Sequence, residues 1–302
     1  MVLSIQRLKK LYMLLSVFTL GLICLGGAVR AMNAGLACPD WPLCFGKFIP
    51  DYHPQVYFEF IHRVIAGLIA LLSLFLGISA FRTPGIPKIV KWIVLISWVV
   101  LWIQIIMGGL TVLKLLHFST VTAHLGLAMA FFGLMVWVVM ILSSDPPLTR
   151  HHNRTALKYV ILILPFLVFG QILLGGLVSS NYAGLACEDF PLCQGQLVPT
   201  LDGAVGLQVI HRLGAYAVFF YIYMMYLGIR WGRVDFGPKM IKAGRAGVTL
   251  ILIQVVLGMA NVIFKIPPLI TILHLAAAAA ILATSLRMVF LITYEPLPRQ
   301  GA

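Results

Sequence analysis

The chain has 302 residues, of which 61% are hydrophobic and only 10% charged, with a mean hydropathy of +1.00. Soluble domains carry about 25% charged residues, and so few cannot cover this much apolar surface in water, so a soluble domain is excluded. Disorder, a collagen-like repeat and, with five Cys, a disulfide mini-protein are excluded too.

What remains is an all-α polytopic membrane protein, since about 20 apolar residues cross a bilayer as a helix. No run of about ten alternating residues suggests a β-barrel. Eight apolar stretches follow in order, near 11–30, 56–81, 89–110, 118–142, 157–179, 205–230, 243–263 and 268–292. The first follows Lys9 and Lys10 as a signal peptide would. No convincing small-residue cleavage site comes after it and seven more spans do, so it is expected to be retained. No Arg- and Ser-rich presequence precedes it, which points to a bacterial or archaeal plasma membrane. Between spans, only 31–55 and 180–204 exceed twenty residues.

The basic residues sort by side. Arg7, Lys9, Lys10, Arg82, Lys88, Lys91, Arg150, Arg154, Lys158, Arg230, Arg233, Lys239, Lys242, Arg245, Arg287 and Arg299 fall on one side. The other holds Arg30, Lys47, Lys114 and Lys265, with Arg63 and Arg212 just inside helix starts. Sixteen against six of the 22 basic residues predicts both termini in the cytoplasm. The net charge of +13 then needs no nucleic-acid partner; the partner is the lipid bilayer.

The chain is written twice. Residues 34–44, AGLACPDWPLC, recur as residues 183–193, AGLACEDFPLC, offset by 149. Gly26-Gly27 matches Gly175-Gly176, and Ile61-His62-Arg63 matches Ile210-His211-Arg212, at the same offset. Gln104, Gly108 and His124 match Gln254, Gly258 and His274 at offset 150. Each half holds four spans, an even number, so the repeats are parallel about an axis along the membrane normal. Two tandem four-helix bundles are expected, 1–148 and 149–302, joined at a cytoplasmic seam over 143–158 that includes Asp145.

Of eight histidines only His62, His124, His211 and His274 recur; His53, His117, His151 and His152 lie in or near loops and read as surface. The recurring four sit one to two turns inside helices, toward the extracytoplasmic leaflet, where polar residues are costly and usually functional. They are either interhelical hydrogen-bond donors or paired axial ligands of two iron macrocycles, one per bundle. One pair per bundle is too few for a bare zinc site. Arg63 and Arg212 are either interfacial snorkelling residues or partners of haem propionates. Glu59 lies one turn before His62 on the same face, where the other half has Gln208. A carboxylate on one side only suggests chemistry in one half and electron carriage in the other; a helix-start residue is the plainer alternative. Cys38 with Cys44, and Cys187 with Cys193, predict one disulfide in each outer loop, with free thiols or a cross-loop metal site as alternatives. Cys24 is unrepeated and reads as packing. The absence of C-x-x-C-H excludes covalent c-type haem attachment.

The ordered set Glu59-x-x-His62-Arg63, His124, His211-Arg212 and His274, with Cys38/Cys44, resembles the haem A synthase family over nearly the whole chain. The resemblance implies oxidation of the C8 methyl of haem O to a formyl, giving haem A for terminal oxidases. It implies haem O between His62 and His124 in the N-terminal half, with Glu59 as the catalytic carboxylate. A permanent haem b would lie between His211 and His274. The Cys187/Cys193 pair is not shared by every member. Contact with the farnesyltransferase that makes haem O, an electron acceptor of unknown identity and a homo-oligomer are all compatible with it. Two other readings share the four histidines: a di-haem b electron carrier or quinol oxidoreductase, and a haem exporter or chaperone. Neither accounts for Glu59 opposite Gln208.

Overall fold

In hydrocarbon a backbone N–H finds its acceptor only within its own helix or a closed barrel, and the predicted stretches all resolve as helices. They are α1 (Ile5–Ala31), α2 (Pro54–Arg82), α3 (Lys88–Leu113), α4 (Phe118–Leu142), α5 (Ala156–Ser180), α6 (Gly203–Trp231), α7 (Gly237–Ile263) and α8 (Pro268–Tyr294). The computed structural model describes residues 3–144, 156–196 and 199–296; Asp145, Arg150, His151, His152, Arg154 and Arg299 lie outside them. Among the described residues all eight helices are long and apolar enough to cross a membrane. The chain is a multi-pass membrane protein. Large apolar side chains such as Leu71, Trp102, Phe166 and Phe220 point outward, the arrangement of a protein whose solvent is lipid.

The helices begin where local chemistry allows. The Ser4 hydroxyl accepts from the Arg7 N–H at 3.3 Å and caps α1. Prolines open α2 and α8, where a missing N–H costs nothing. Both α1 and α7 start before their apolar cores because basic residues, Arg7 to Lys10 and Lys239 to Lys242, extend each helix into the interface.

Within each half, neighbouring helices pack in order and the last returns to the first, α4 on α1 and α8 on α5. The halves meet through α1, α4, α5 and α8. Leu76, Val90, Met135 and Val138 lie in one core, and Ile161, Leu164, Ile222 and Met225 in the other. Phe290 of α8 enters the first core and Met129 of α4 the second, which locks the bundles together. Small residues permit this contact: a Cβ on Gly133 would lie 3.2 Å from Leu286, and one on Gly176 3.0 Å from Leu125.

Candidate functional site

Each recurring histidine lies against a glycine of the preceding helix. An alanine at Gly26 on α1 would set its Cβ 3.1 Å from His62 Cε1 on α2, and one at Gly108 on α3 the same distance from His124 Cε1 on α4. The second half repeats this, with Gly175 on α5 at 3.1 Å from His211 on α6 and Gly258 on α7 at 3.2 Å from His274 on α8. Ordinary van der Waals contact begins near 3.4 Å, so only glycine leaves these rings undisturbed.

Several imidazole nitrogens lack a partner. The Nδ1 atoms of His62, His124 and His274 are buried without a hydrogen bond, and Gln104 and Gln254 reach Nε2 of His124 and His274 only at 3.4 and 3.2 Å. Orphaned buried nitrogens are expensive, and neutral imidazole is the commonest protein ligand for a metal. Two histidines per half, three of the four with an unpartnered buried nitrogen, are a donor set that fits the iron of a haem, one in each half. Among the described residues no cluster of three or more His, Cys, Asp or Glu could hold a bare ion.

Over each pair lies a loop built to one plan. Cys38–Cys44 and Cys187–Cys193 are disulfides, with both sulfur pairs buried. After the second cysteine the chain turns through Phe45-Gly46 and Gln194-Gly195, all four with positive φ, and closes a two-residue bridge. The Asp40 carboxylate accepts from the Phe45 and Gly46 N–H groups at 2.6 and 2.7 Å, and Asp189 accepts from Gln194 and Gly195, both at 2.9 Å. These bonds, the glycine N–H foremost, hold both carboxyls below their usual range. Trp41 packs on Gly109 of α3, where an alanine Cβ would be 3.0 Å from the indole.

Arg63 and Arg212 tie these loops down. Arg63 donates to the carbonyls of Asp40 at 2.7 Å, Leu43 at 2.6 Å and Cys38 at 3.2 Å, and its fourth N–H meets the Glu59 carboxylate. Arg212 donates to Asp189, Leu192 and Cys187 at 3.0, 2.9 and 2.7 Å. Most of each fork is thus committed to a loop rather than free for propionates. Glu59 is buried, and its second oxygen accepts from the Cys38 N–H at 2.9 Å. Gln208, equally buried, donates to the Gly184 carbonyl at 3.3 Å. The carboxylate asymmetry read in the sequence is therefore a difference in wiring: among the described residues, only the first half has a buried ion pair joined to its disulfide loop.

The profile of the COX15-CtaA family, described as cytochrome oxidase assembly protein, matches residues 9–56 and 51–286. The chain belongs to this family. A haem A synthase from Shewanella oneidensis is 30% identical, over 89% of this chain and 91% of its own. One from Caulobacter sp. strain K31 is 27% identical over the same shares, and one from Shouchella clausii 28% identical over 70% of this chain and 72% of its own. For this member of the COX15-CtaA family, sequence reasoning picked out the histidines, Glu59 and the cysteines. It did not foresee the ring-on-glycine contacts, although Gly26, Gly108, Gly175 and Gly258 all recur at the repeat offset. Nor did it assign Asp40 and Asp189, which recur inside the loop motif.

Proposed function

We propose that the chain is a haem A synthase that oxidises the C8 methyl of haem O to a formyl group. Haem O would sit between His62 and His124, and a resident haem b between His211 and His274. The observation that carries this division is Glu59: a buried carboxylate one turn from His62, opposed by an amide in an otherwise matching half.

Turning a methyl into a formyl removes four electrons and adds one oxygen, in two two-electron steps through an alcohol. An electron-deficient methyl carbon shares its charge with the conjugated ring. A fixed carboxylate nearby stabilises that charge or takes a proton from the carbon or from an adding water. Glu59 is prepared for this because Arg63 and the Cys38 N–H fix its orientation before substrate arrives. A resident haem b supplies one-electron redox chemistry, and His211 and His274 would hold its iron. Arg63 and Arg212 would keep the disulfide caps over the ring edges; Arg212, with three carbonyl bonds and no salt bridge among the described residues, retains more free N–H capacity for propionates than Arg63.

The charge asymmetry supports termini on the cytoplasmic side, with the caps and haem sites toward the outside, in a bacterial or archaeal plasma membrane. Haem O reaches this site from a farnesyltransferase, and the electrons leave to an acceptor. The test is extraction of haems from the purified protein and reverse-phase chromatography. Farnesylated haem O, its hydroxymethyl form or haem A is the expected result; haem b alone points to an electron carrier instead.

A further inference from the structure

The two halves differ at a second place, outside every repeated motif. Gln171 on α5 donates from its amide nitrogen to the His211 carbonyl at 2.8 Å, and the same nitrogen lies 3.0 Å from His211 Nδ1. The amide fits because the residue three after His211 is Gly214, where a Cβ would collide with the Gln171 Oε1. At the repeat offset of 149, Gln171 corresponds to Leu22 and Gly214 to Ile65. Correspondingly, His62 Nδ1 has no partner. One imidazole has an amide side chain at Nδ1, on the side of the ring away from Nε2, while its counterpart has none.

We propose that Gln171 is a positioning residue that locks His211 onto a permanently held haem, whereas the bare Nδ1 of His62 leaves the N-terminal site free to exchange its macrocycle. This rests on the reading above that His211 and His274 face haem iron. A metal-bound imidazole gives one nitrogen to the metal and the other, as N–H, to an acceptor, which fixes the ring and raises its basicity. The two ends of a glutamine amide are interchangeable in space. With iron at Nε2 the proton is on Nδ1, and a turn of the Gln171 side chain away from the His211 carbonyl brings its oxygen to accept that Nδ1–H, while the carbonyl still has its helical N–H partner. A protein whose substrate and product are both macrocycles needs one site that lets go and one that does not. Leu22 and Ile65 supply no such acceptor at the first.

The test uses full-length, haem-loaded protein carrying Gln171→Leu, which copies position 22, or Gln171→Glu. With Gln171→Leu, haem b loss to excess apomyoglobin should accelerate roughly tenfold or more, the scale for losing a hydrogen bond behind a metal ligand. The midpoint potential of the low-spin haem should rise, because a less basic imidazole stabilises ferric iron less. With Gln171→Glu, a stronger acceptor, it should fall below wild type. Unchanged release and potential in Gln171→Leu overturn the proposal. So does a Gln171→Glu potential at or above wild type, and that variant decides if Gln171→Leu does not fold. His211→Ala checks the underlying reading separately: retention of the low-spin signal there removes the haem assignment itself, and this inference with it.

Discussion

Replacing Arg63 with Met removes a cation that makes four contacts at once while keeping much of its apolar stem. The Arg63 and Glu59 side chains are 15% and 5% exposed, so the pair behaves as buried. Removing one member of a buried pair strands the other, at about 3–5 kcal/mol, where a surface pair contributes about 0–1 kcal/mol. Arg212→Met loses the matching three carbonyl contacts and strands no carboxylate, because residue 208 is Gln. Those shared contacts cancel in the comparison. Arg63→Met should therefore destabilise the protein more than Arg212→Met by roughly 3 kcal/mol. Adding Glu59→Gln to Arg63→Met should recover most of that difference, since an unpaired amide costs less to bury than an unpaired charge. The assay is reversible denaturant unfolding of the three purified variants in one detergent. Equal losses for the two arginines, or no recovery in the double variant, would refute the buried-pair reasoning.

The remaining expectations concern haem, topology and pH. His211→Ala or His274→Ala should abolish the low-spin b-type signal with the N-terminal bundle still folded; if His62→Ala does so instead, the halves are reversed. After reduction, a thiol reagent that cannot cross membranes should label Cys38 and Cys187 in intact cells, and labelling only after lysis would invert the orientation. The Asp40 carboxyl is lowered from its ordinary 3.8, first by the Gly46 N–H and then by the Phe45 N–H and the Arg63 charge. Its contribution is complete above that value and is lost as pH falls through the lowered folded-state one. Asp40→Asn should accordingly weaken the loop at neutral pH and make no difference in strong acid, read as tryptic cleavage at Lys47 and peptic cleavage respectively. Equal effects at both extremes would show that the carboxylate charge is not what holds the turn.

Much of this was legible because a bilayer leaves few options. The stretch 118–142 coincides with Phe118–Leu142, and the ends of most other helices fall within three residues of their apolar stretches. The early starts of α1 and α7 escaped because hydropathy falls at Lys9, Lys10, Lys239 and Lys242 while helical hydrogen bonding does not. The duplicated motifs singled out the histidines, because a polar side chain at membrane depth is costly and these four recur there in both halves. Arg63 was harder. Its sequence position places it at the interface, but which acceptors its fork meets depends on how residues 38–44 fold back, and the disulfide and the Asp40 turn settle that jointly. Gln171 escaped for the opposite reason: it interrupts the repeat instead of joining it, and only its contact with His211 shows why.

Glu59→Gln tests the central claim most directly, because it nearly preserves shape and makes the first half resemble the second at this position. Incubated with haem O and an electron acceptor, the variant should still bind haem, and its haem A output should fall by roughly 10²-fold or more. Unconverted haem O or a hydroxylated form should accumulate on the chromatogram. Haem A produced at near wild-type rate would contradict the account, leaving Glu59 as the anchor of a disulfide loop and nothing more.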